Sequence, residues 1–409
     1  MTYKGKLSRR ELIRLGMAGT AVSVANLALG KTAVPRAKAS PWLEYLGEHI
    51  VYDNPKPNLF SRHGCFPGLV QLASGELICL FVLAEAFDAA NGTTHITRSS
   101  DLGKTWKLQG KLYDKTVVGF LTNDAMKATL LRDGTLVAAG YRFHRLDPEG
   151  AIADEKTGGV LPGDDLVAFS SDEARTWTVP VVIPRRRPEL YEISGPCIQL
   201  RSGDLLAVAG FMPLPNGTFP SGNQGIILRS GDGGKTWDDT VTCFRAGNVA
   251  AWESRVCEMQ PGRVVAILWS YDFTTQNHLP NHVVVSHDDG RTWGEPINTG
   301  IMAQASSLLW IKGNLLLSIH AHRAENPGLY VRLVDFTDDK WKVLHEKIIW
   351  GRQIGQQTKH GQSLEKMFTS IRFGQPSLVR LNNREILATH WSIEGGQGRI
   401  RTHRLRLPR

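Results

Sequence analysis

Apolar residues occur along the chain in short runs, and most of these runs come in pairs separated by a turn. Runs rich in Leu, Val and Ile that are bounded by turn residues are typical of buried β-strands joined in hairpins. Six such pairs can be recognised: residues 67–72 with 76–82, 127–131 with 135–139, 196–200 with 204–209, 256–259 with 263–269, 306–311 followed by Lys312-Gly313-Asn314, and 376–381 followed by Asn382-Asn383-Arg384. Few stretches show helical periodicity, so the pattern predicts an all-β protein.

An eight-residue string, Ser-x-Asp-x-Gly-x-Thr-Trp, recurs along the chain. Its copies begin at Ser99, Ser170, Ser230 and Ser286, and the second copy has Ala174 in place of the glycine. Residues 335–341 resemble a degenerate fifth copy. In a hairpin turn the aspartate accepts backbone N–H groups, the glycine takes a positive φ, and the tryptophan covers the hairpin. The string is therefore predicted to be structural rather than catalytic.

The repeats predict the architecture. Six strand pairs, four of them followed by the string, indicate a six-bladed β-propeller of four-stranded antiparallel blades. We expect the string at the rim, between the third and fourth strands of a blade. Residues 48–52 are a predicted N-terminal strand that closes the ring against the last blade. The propeller domain is predicted to span residues 40–409.

Residues 1–39 are predicted to be a signal peptide. Residues 8–14, Ser-Arg-Arg-Glu-Leu-Ile-Arg, resemble a twin-arginine export signal, a weakly apolar stretch follows, and residues 37–39, Ala-Lys-Ala, suit a signal peptidase. We therefore expect a periplasmic or secreted protein. No later segment has about 18 continuous apolar residues, so the mature protein is expected to be soluble and not membrane-bound.

The basic character of the chain belongs mainly to this signal segment. The formal charge is +9, and residues 1–39 hold eight basic side chains against one acid. Net charge therefore gives no support for a nucleic-acid partner. The five cysteines include no Cys-x-x-Cys spacing, so we expect neither a disulfide framework nor a zinc site. We expect a monomer with no cofactor and no metal.

The repeated string is similar to the Asp box, and Asp boxes on a six-bladed propeller resemble the sialidase (neuraminidase) superfamily, which includes exo-arabinanases. The resemblance covers residues 45–409. Sialidases have a glutamate in a Glu-x-x-Val-x-Glu-Leu-x-x-Gly-x-Leu pattern, and residues 253–264 fit it, so Glu253 matches that glutamate. The resemblance implies a glycosidase of the exo-α-sialidase type.

Other family positions differ. Cys65 stands where the first of three substrate-clamping arginines belongs, Trp269 and Ser270 lie near the second, and Pro327 falls at the third. The Tyr-Ser-x-Leu of the last blade is Gln375-Pro376-Ser377-Leu378, which removes the tyrosine nucleophile. A carboxylate-bearing sugar could instead be gripped by other arginines: Arg62, Arg255, Arg323 or Arg372.

Propeller geometry predicts where the active site lies. Innermost strands start, and antiparallel second strands end, at the same face, so polar residues at these positions converge on one mouth. Long loops, residues 145–165 and 352–366, leave the same face. The catalytic candidates selected in this way are Glu253, Glu192 and Asp124. The substrate-binding candidates are Arg62, His63, Arg142, Trp269, His320, Arg372 and Gln375.

Three functions are compatible with the sequence. A pair of carboxylates could hydrolyse a terminal glycosidic bond of a glycan or polysaccharide, as in exo-arabinanases. A polysaccharide lyase acting on a uronate would need a His or Tyr base and an Arg, which Tyr141, Arg142, His144 and His320 could supply. The loss of the sialidase arginines and tyrosine would also suit a non-catalytic carbohydrate-binding propeller.

Overall fold

The computed structural model describes residues 42–408 as six antiparallel β-sheets, and the prediction of a six-bladed β-propeller is confirmed. The sheets are blades 1 to 6 in the chain order of their innermost strands. An N-terminal strand, β1 (Glu44–Tyr52), joins blade 6 as its outermost strand. It pairs with the last strand of the chain, with Glu48 opposite His403, so the first and last strands close the ring as predicted.

The strands of the first three blades are as follows. Blade 1 has β2 (His63–Gln71), β3 (Leu77–Ala84), β4 (Thr93–Ser99) and β5 (Lys107–Lys111). Blade 2 has β6 (Thr122–Leu130), β7 (Leu136–His144), β8 (Gly163–Ser170) and β9 (Val181–Val182). Blade 3 has an innermost strand split into β10 (Tyr191–Glu192) and β11 (Ile198–Gln199), then β12 (Leu205–Phe211), β13 (Gly225–Ser230) and β14 (Asp238–Phe244).

The remaining blades complete the ring. Blade 4 has β15 (Val249–Gln260), β16 (Arg263–Asp272), the short β17 (Asn277–His278), β18 (His282–Ser286) and β19 (Ile297–Asn298). Blade 5 has β20 (Ser306–Lys312), β21 (Leu315–His322), β22 (Gly328–Asp335) and β23 (Lys342–Trp350), and blade 6 has β24 (Phe373–Arg380), β25 (Glu385–Glu394) and β26 (Gln397–Arg406). Within residues 42–408 the helices are α1 (Leu364–Ser370) and the 3₁₀ helices Lys115–Val118 and Thr337–Asp339.

The second strand of each blade is almost completely buried because neighbouring blades cover both of its faces. Every residue of β3 is buried, and so is every residue of β12. Buried strands of this kind lack the alternation of polar and apolar residues seen in half-exposed sheets. The interface between blades is therefore the hydrophobic core, and it supplies a rigid ring around the axis.

The four copies of the eight-residue string, here called the repeat turns, connect the third strand of a blade to the fourth. In the third copy Asp232 Oδ1 accepts the N–H groups of Lys235 and Thr236 at 3.0 Å, and Oδ2 accepts the Thr236 hydroxyl at 2.6 Å. The indole N–H of Trp237 donates to the Gly234 carbonyl at 2.9 Å. These turns lie between β4 and β5, β8 and β9, β13 and β14, and β18 and β19.

The corresponding turn of blade 5 differs from the repeat turns. It contains the 3₁₀ helix Thr337–Asp339, and Asp335 Oδ1 accepts both the N–H and the hydroxyl of Thr337. The indole N–H of Trp341 has no hydrogen-bond partner among the described residues. The degenerate sequence of residues 335–341 thus forms a different local structure.

Three innermost strands carry an irregularity that turns one residue toward the axis. Register shifts occur between Cys65 and Gly68 in β2, Trp252 and Arg255 in β15, and Gly374 and Ser377 in β24. At each shift one non-glycine residue has a positive φ: Phe66 (53°), Glu253 (44°) and Gln375 (40°). Bulges redirect side chains, and backbone strain of this kind is typical of functional sites.

The predicted signal peptide, residues 1–39, lies outside the described residues. Within residues 42–408, no helix combines the length and the apolar character needed to cross a membrane. All five cysteines fall within the described residues, and each is a free thiol.

Candidate active site

A cavity opens at the mouth of the propeller. All three bulge residues line it: Phe66, Glu253 and Gln375. Ile152 from the long loop of blade 2 reaches it as well, and so does Phe368 from α1. The cavity therefore lies where the first strands begin and the second strands end.

Two predicted catalytic residues form a buried carboxyl pair in this cavity. The main-chain N–H of Glu253 donates to Oε2 of Glu192 at 2.7 Å. Both side chains are almost fully buried. Burial raises the pKa of Glu192 to about 8, and the nearby Glu253 charge acts in the same direction. Glu192 is therefore a protonated acid at neutral pH.

Two arginines surround the carboxyl pair. Arg323 Nη1 lies 3.4 Å from Glu253 Oε2, and its Nε donates to the Phe373 carbonyl at 2.7 Å. Arg255 Nη1 donates to Ser194 Oγ at 3.2 Å, and its Nε has no hydrogen-bond partner among the described residues. Burial lowers the pKa of both guanidinium groups, while the Glu253 charge opposes that effect.

A glycine makes room for one of these arginines. A Cβ atom on Gly374 would lie 1.7 Å from Nη2 of Arg323. The φ of Gly374 is +158°, and the residue immediately precedes the bulge residue Gln375. Any side chain at position 374 would therefore displace the guanidinium that pairs with Glu253.

A buried lysine lies near the same carboxylates. Lys127 of β6 is 1% exposed, and its Nζ is 6.0 Å from the centre of the Phe66 ring. Burial lowers the pKa of Lys127 to about 7, and the Arg255 charge adds to this, whereas Glu192 and Glu253 act in the opposite direction. Strand β6 thus contributes a cation that readily loses its proton.

Several polar atoms that face the cavity are available to a ligand. The side-chain oxygens of Gln375 and Asn123 are buried without a hydrogen-bond partner among the described residues. Tyr141 also lines the cavity, and burial, together with the charges of Glu192 and Glu253, raises its pKa well above the usual range. Buried polar groups are normally paired, so unpaired ones in a cavity favour a polar ligand.

The third catalytic candidate, Asp124, lines the cavity but is held by structural contacts. Its Oδ1 accepts the N–H and the hydroxyl of Thr94 at 2.8 and 2.7 Å. Its Oδ2 lies 3.1 Å from the Tyr113 hydroxyl and 3.3 Å from Lys115 Nζ. With both oxygens engaged, Asp124 joins blades 1 and 2 at the edge of the cavity.

Of the substrate-binding candidates, Trp269 and Gln375 line the cavity. Trp269 donates its indole N–H to His278 Nδ1 at 3.3 Å, and the Arg323 guanidinium lies 5.5 Å from its ring centre. Besides Asp124 at the edge, the cavity thus brings together four of the predicted residues: Glu192, Glu253, Trp269 and Gln375.

The other five substrate-binding candidates are not among the residues that line the cavity. Arg62 is exposed and lies over the Phe60 ring, and His63 is half-buried. Arg142 donates to Asp164 at 2.7 Å, and exposed Arg372 donates to carbonyls at the C-terminal end of α1. His320 is fully buried between Asn281 and Ser318, at 3.0 Å from each.

The sequence pattern did not reveal the phenylalanines of the cavity lining, Trp252 or the buried lysine. Phe66, Phe87 and Phe368 line the cavity, as does Trp252. Phe66 belongs to the apolar start of β2, and only the bulge there distinguishes it from an ordinary core residue. Lys127 had a weak signal, since a lysine between Met126 and Ala128 in an inner strand is unusual.

No metal centre is evident in the described part of the chain. Among residues 42–408, no group of three or more His, Cys, Asp or Glu side chains is arranged to hold a metal ion. The polar groups at the mouth are carboxyl, amide, phenol and guanidinium groups. Such groups can bind and protonate an organic ligand directly.

The fold is shared with proteins of known structure, although the sequences have diverged widely. No family model matches the sequence, and no curated protein matches it either. A Dyadobacter fermentans protein of unknown function is similar over 90% of this chain and 100% of its own, with 20% identity and a TM-score of 0.71.

Two further structures are glycosidases by name. An α-L-arabinanase from Penicillium chrysogenum, complexed with arabinobiose, is similar over 89% of this chain and 98% of its own, with 16% identity and a TM-score of 0.59. A mutant of the NanB sialidase from Streptococcus pneumoniae is similar over 88% of this chain and 70% of its own, with 11% identity and a TM-score of 0.57. At these identities the likeness establishes a sialidase-like six-bladed propeller fold.

Proposed function

We propose that this protein is a glycoside hydrolase that removes a terminal sugar from a larger glycoside, with Glu192 and Glu253 as its catalytic pair. The observation that carries the proposal is the raised pKa of Glu192, about 8, beside a second carboxylate in the same cavity. Glycosidases commonly use two carboxyl groups, one kept protonated by its surroundings and one ionised.

The roles follow from the surroundings of each group. Glu192 donates its proton to the glycosidic oxygen while the bond from that oxygen to the anomeric carbon breaks, and the leaving group departs as an alcohol. Glu253, paired with Arg323, acts as base or nucleophile at the anomeric carbon. One water is consumed, and its elements end on the sugar and on the restored acid. Gln375, Asn123 and Tyr141 offer hydrogen bonds to the sugar hydroxyls.

The lyase alternative receives less support from the geometry. Arg142 and His144 both contact Asp164, at 2.7 and 2.9 Å, and neither lines the cavity. His320 is enclosed by its own hydrogen bonds. Of the groups considered for that chemistry, Tyr141 is the one that reaches the cavity.

A panel of 4-nitrophenyl glycosides tests the proposal by release of 4-nitrophenol. We expect turnover of at least one sugar, and a loss of about 10²-fold or more in kcat for Glu253→Gln and for Glu192→Gln. Asp124→Asn is the comparison variant, because the contacts of Asp124 are structural. It should lower the melting temperature while leaving kcat close to the wild-type value. Binding of glycans without any product from the wild type would instead identify a non-catalytic carbohydrate-binding propeller.

We also propose export by the twin-arginine route, on the basis of residues 1–39 alone. A fusion of these residues to a folded fluorescent reporter should be exported. Replacing Arg9 and Arg10 by lysine should retain the reporter in the cytoplasm. Export that persists in the double variant would exclude this route.

A further inference from the structure

One side of the cavity is an aromatic wall built by blades 1 and 6. Phe66, Phe87 and Trp391 are in mutual contact: the Phe87 ring stacks on Trp391 with centres 4.9 Å apart, and Phe66 meets both rings edge-on at 5.5 and 5.7 Å. Phe66 and Phe87 are half-buried, so their rings remain accessible from the cavity. We call these three residues the first wall.

A second aromatic wall belongs to blade 4 and helix α1. Trp252 meets Trp269 edge-on at 5.5 Å, and Phe368 lies 6.4 Å from Trp252. In a ring of six blades, blade 4 is three positions from blade 1, so the second wall faces the first across the axis. About half of the other lining residues are also apolar, Val82, Met212 and Ile371 among them.

The polar groups of the cavity suffice for about one sugar unit. Asp124 is engaged by Lys115, and Asp88 is engaged by Arg145 at 3.0 Å. The two glutamates of the carboxyl pair are needed for catalysis, which leaves Asn123, Tyr141 and Gln375 as the uncharged polar side chains for sugar hydroxyls. A second sugar between the aromatic walls would leave hydroxyl groups buried without partners, at a cost of roughly 1–3 kcal/mol each.

We propose that the leaving group of the substrate is an aromatic aglycone, seated between the first and second walls, and not a further sugar unit. This inference rests on the proposed function and names its substrate class as aryl glycosides. Aromatic rings prefer offset-stacked and edge-on contacts with other rings, which both walls offer. Hydrolysis would release a phenol or a related aromatic alcohol.

Binding of the aglycone alone can be measured without turnover. Isothermal titration calorimetry of the purified protein with 4-methylphenol should show saturable binding. The binding should be about 5-fold or more tighter than that of 4-methylcyclohexanol, which has a similar size but no aromatic ring. No saturable binding of 4-methylphenol, or equal affinity for the two probes, would overturn the aromatic assignment.

Variants place the binding between the walls. Phe87→Ala and Phe368→Ala remove half-buried rings from opposite walls, and each should weaken 4-methylphenol binding about 5- to 10-fold. Phe169→Ala is the matched control, because this partly buried ring packs beside the repeat turn of blade 3. It should leave binding unchanged. Equal effects of all three variants would contradict the placement.

The two proposals fail in different ways. Glu253→Gln should bind 4-methylphenol like the wild type, because it changes the catalytic group and leaves both walls intact. Binding of 4-methylphenol without cleavage of any glycoside would refute the hydrolase and retain the aromatic subsite. Cleavage of glycosides without binding of 4-methylphenol would refute the aromatic aglycone and retain the hydrolase.

Discussion

The main-chain N–H of Glu253 donates a 2.7 Å hydrogen bond to Oε2 of Glu192, so the backbone of one carboxyl residue holds the side chain of the other. The bulge in β15 makes this contact possible, because Glu253 has a φ of 44° there. The strain and the buried pair occur at the same residue. Strained backbone that fixes reactive side chains is a common feature of active sites.

The raised pKa of Glu192 predicts a pH dependence of both activity and stability. Glu192 acts only when protonated, so kcat should fall as pH rises through about 8. For stability, a folded-state pKa above the unfolded value of about 4.5 means that burial of Glu192 becomes destabilising as pH rises from 4.5 to 8. Glu192→Gln should therefore be inactive and melt a few degrees higher than the wild type at pH 9. Calorimetry of both proteins at pH 5 and pH 9 checks this. A lower melting temperature for Glu192→Gln than for the wild type at pH 9 would contradict it.

The contact between Gly374 and Arg323 predicts that a single methyl group disturbs the active site. Gly374→Ala places Cβ 1.7 Å from the present position of Arg323 Nη2, so the guanidinium must leave Glu253. We expect kcat/KM to fall about 10- to 100-fold. Gly110→Ala is the matched control, because Gly110 has a φ of +132° and a Cβ added there would have no atom within 4 Å. If both variants lose activity equally, displacement of Arg323 is not the cause.

The sequence predicted the blades and the carboxyl pair because both depend on local pattern. Each strand pair is a contiguous apolar segment, and Glu192 and Glu253 shortly precede the apolar runs 196–200 and 256–259 that predict innermost strands. Arg323 and Gly374 lie in different blades, and their contact depends on how the ring closes. The bulges at Phe66 and Gln375 likewise leave no mark in the hydrophobic pattern.

His320 shows why strand position alone misplaced a candidate. It is a candidate because it lies near the end of a second strand, where polar residues are expected to converge on the mouth. In a propeller both faces of a second strand pack against neighbouring blades, and only its end reaches the mouth. His320 therefore contacts Asn281 of blade 4, at 3.0 Å, instead of the cavity.

Two repeat turns predict different effects of the same substitution. The indole N–H of Trp237 donates to Gly234, whereas that of Trp177 is buried without a partner in the described residues, in the copy that has Ala174. Trp237→Phe should lower the free energy of unfolding by about 1 kcal/mol through the lost hydrogen bond. Trp177→Phe should lower the free energy of unfolding by less than about 0.5 kcal/mol, or should raise it.

Denaturant unfolding of both variants measures this difference. Because the repeat turns lie at the rim, neither variant should change glycoside turnover by the folded protein. A larger loss of stability for Trp177→Phe than for Trp237→Phe would show that ring packing, and not the indole hydrogen bond, dominates at these turns. Loss of activity in a normally stable Trp237→Phe would place the repeat turns at the mouth.

The strand that closes the ring predicts sensitivity to acid. The Tyr45 hydroxyl of β1 lies 3.0 Å from Nδ1 of His403, whose Nε2 lies 3.2 Å from Nδ1 of His390. Burial lowers the pKa of His403 to about 3, and the Arg401 charge adds to the effect. Between pH 6.5 and about pH 3, His403 is protonated in the unfolded chain but neutral in the folded protein, so the free energy of unfolding falls progressively as pH drops through this range.

His403→Gln keeps hydrogen-bonding groups but does not titrate. Its melting temperature should therefore fall less between pH 7 and pH 4.5 than that of the wild type. His49→Gln is the control, because His49 lies on β1 but does not make these contacts, and this variant should keep the wild-type pH dependence of the melting temperature. Identical pH profiles for all three proteins would mean that the contact between β1 and β26 is not acid-sensitive.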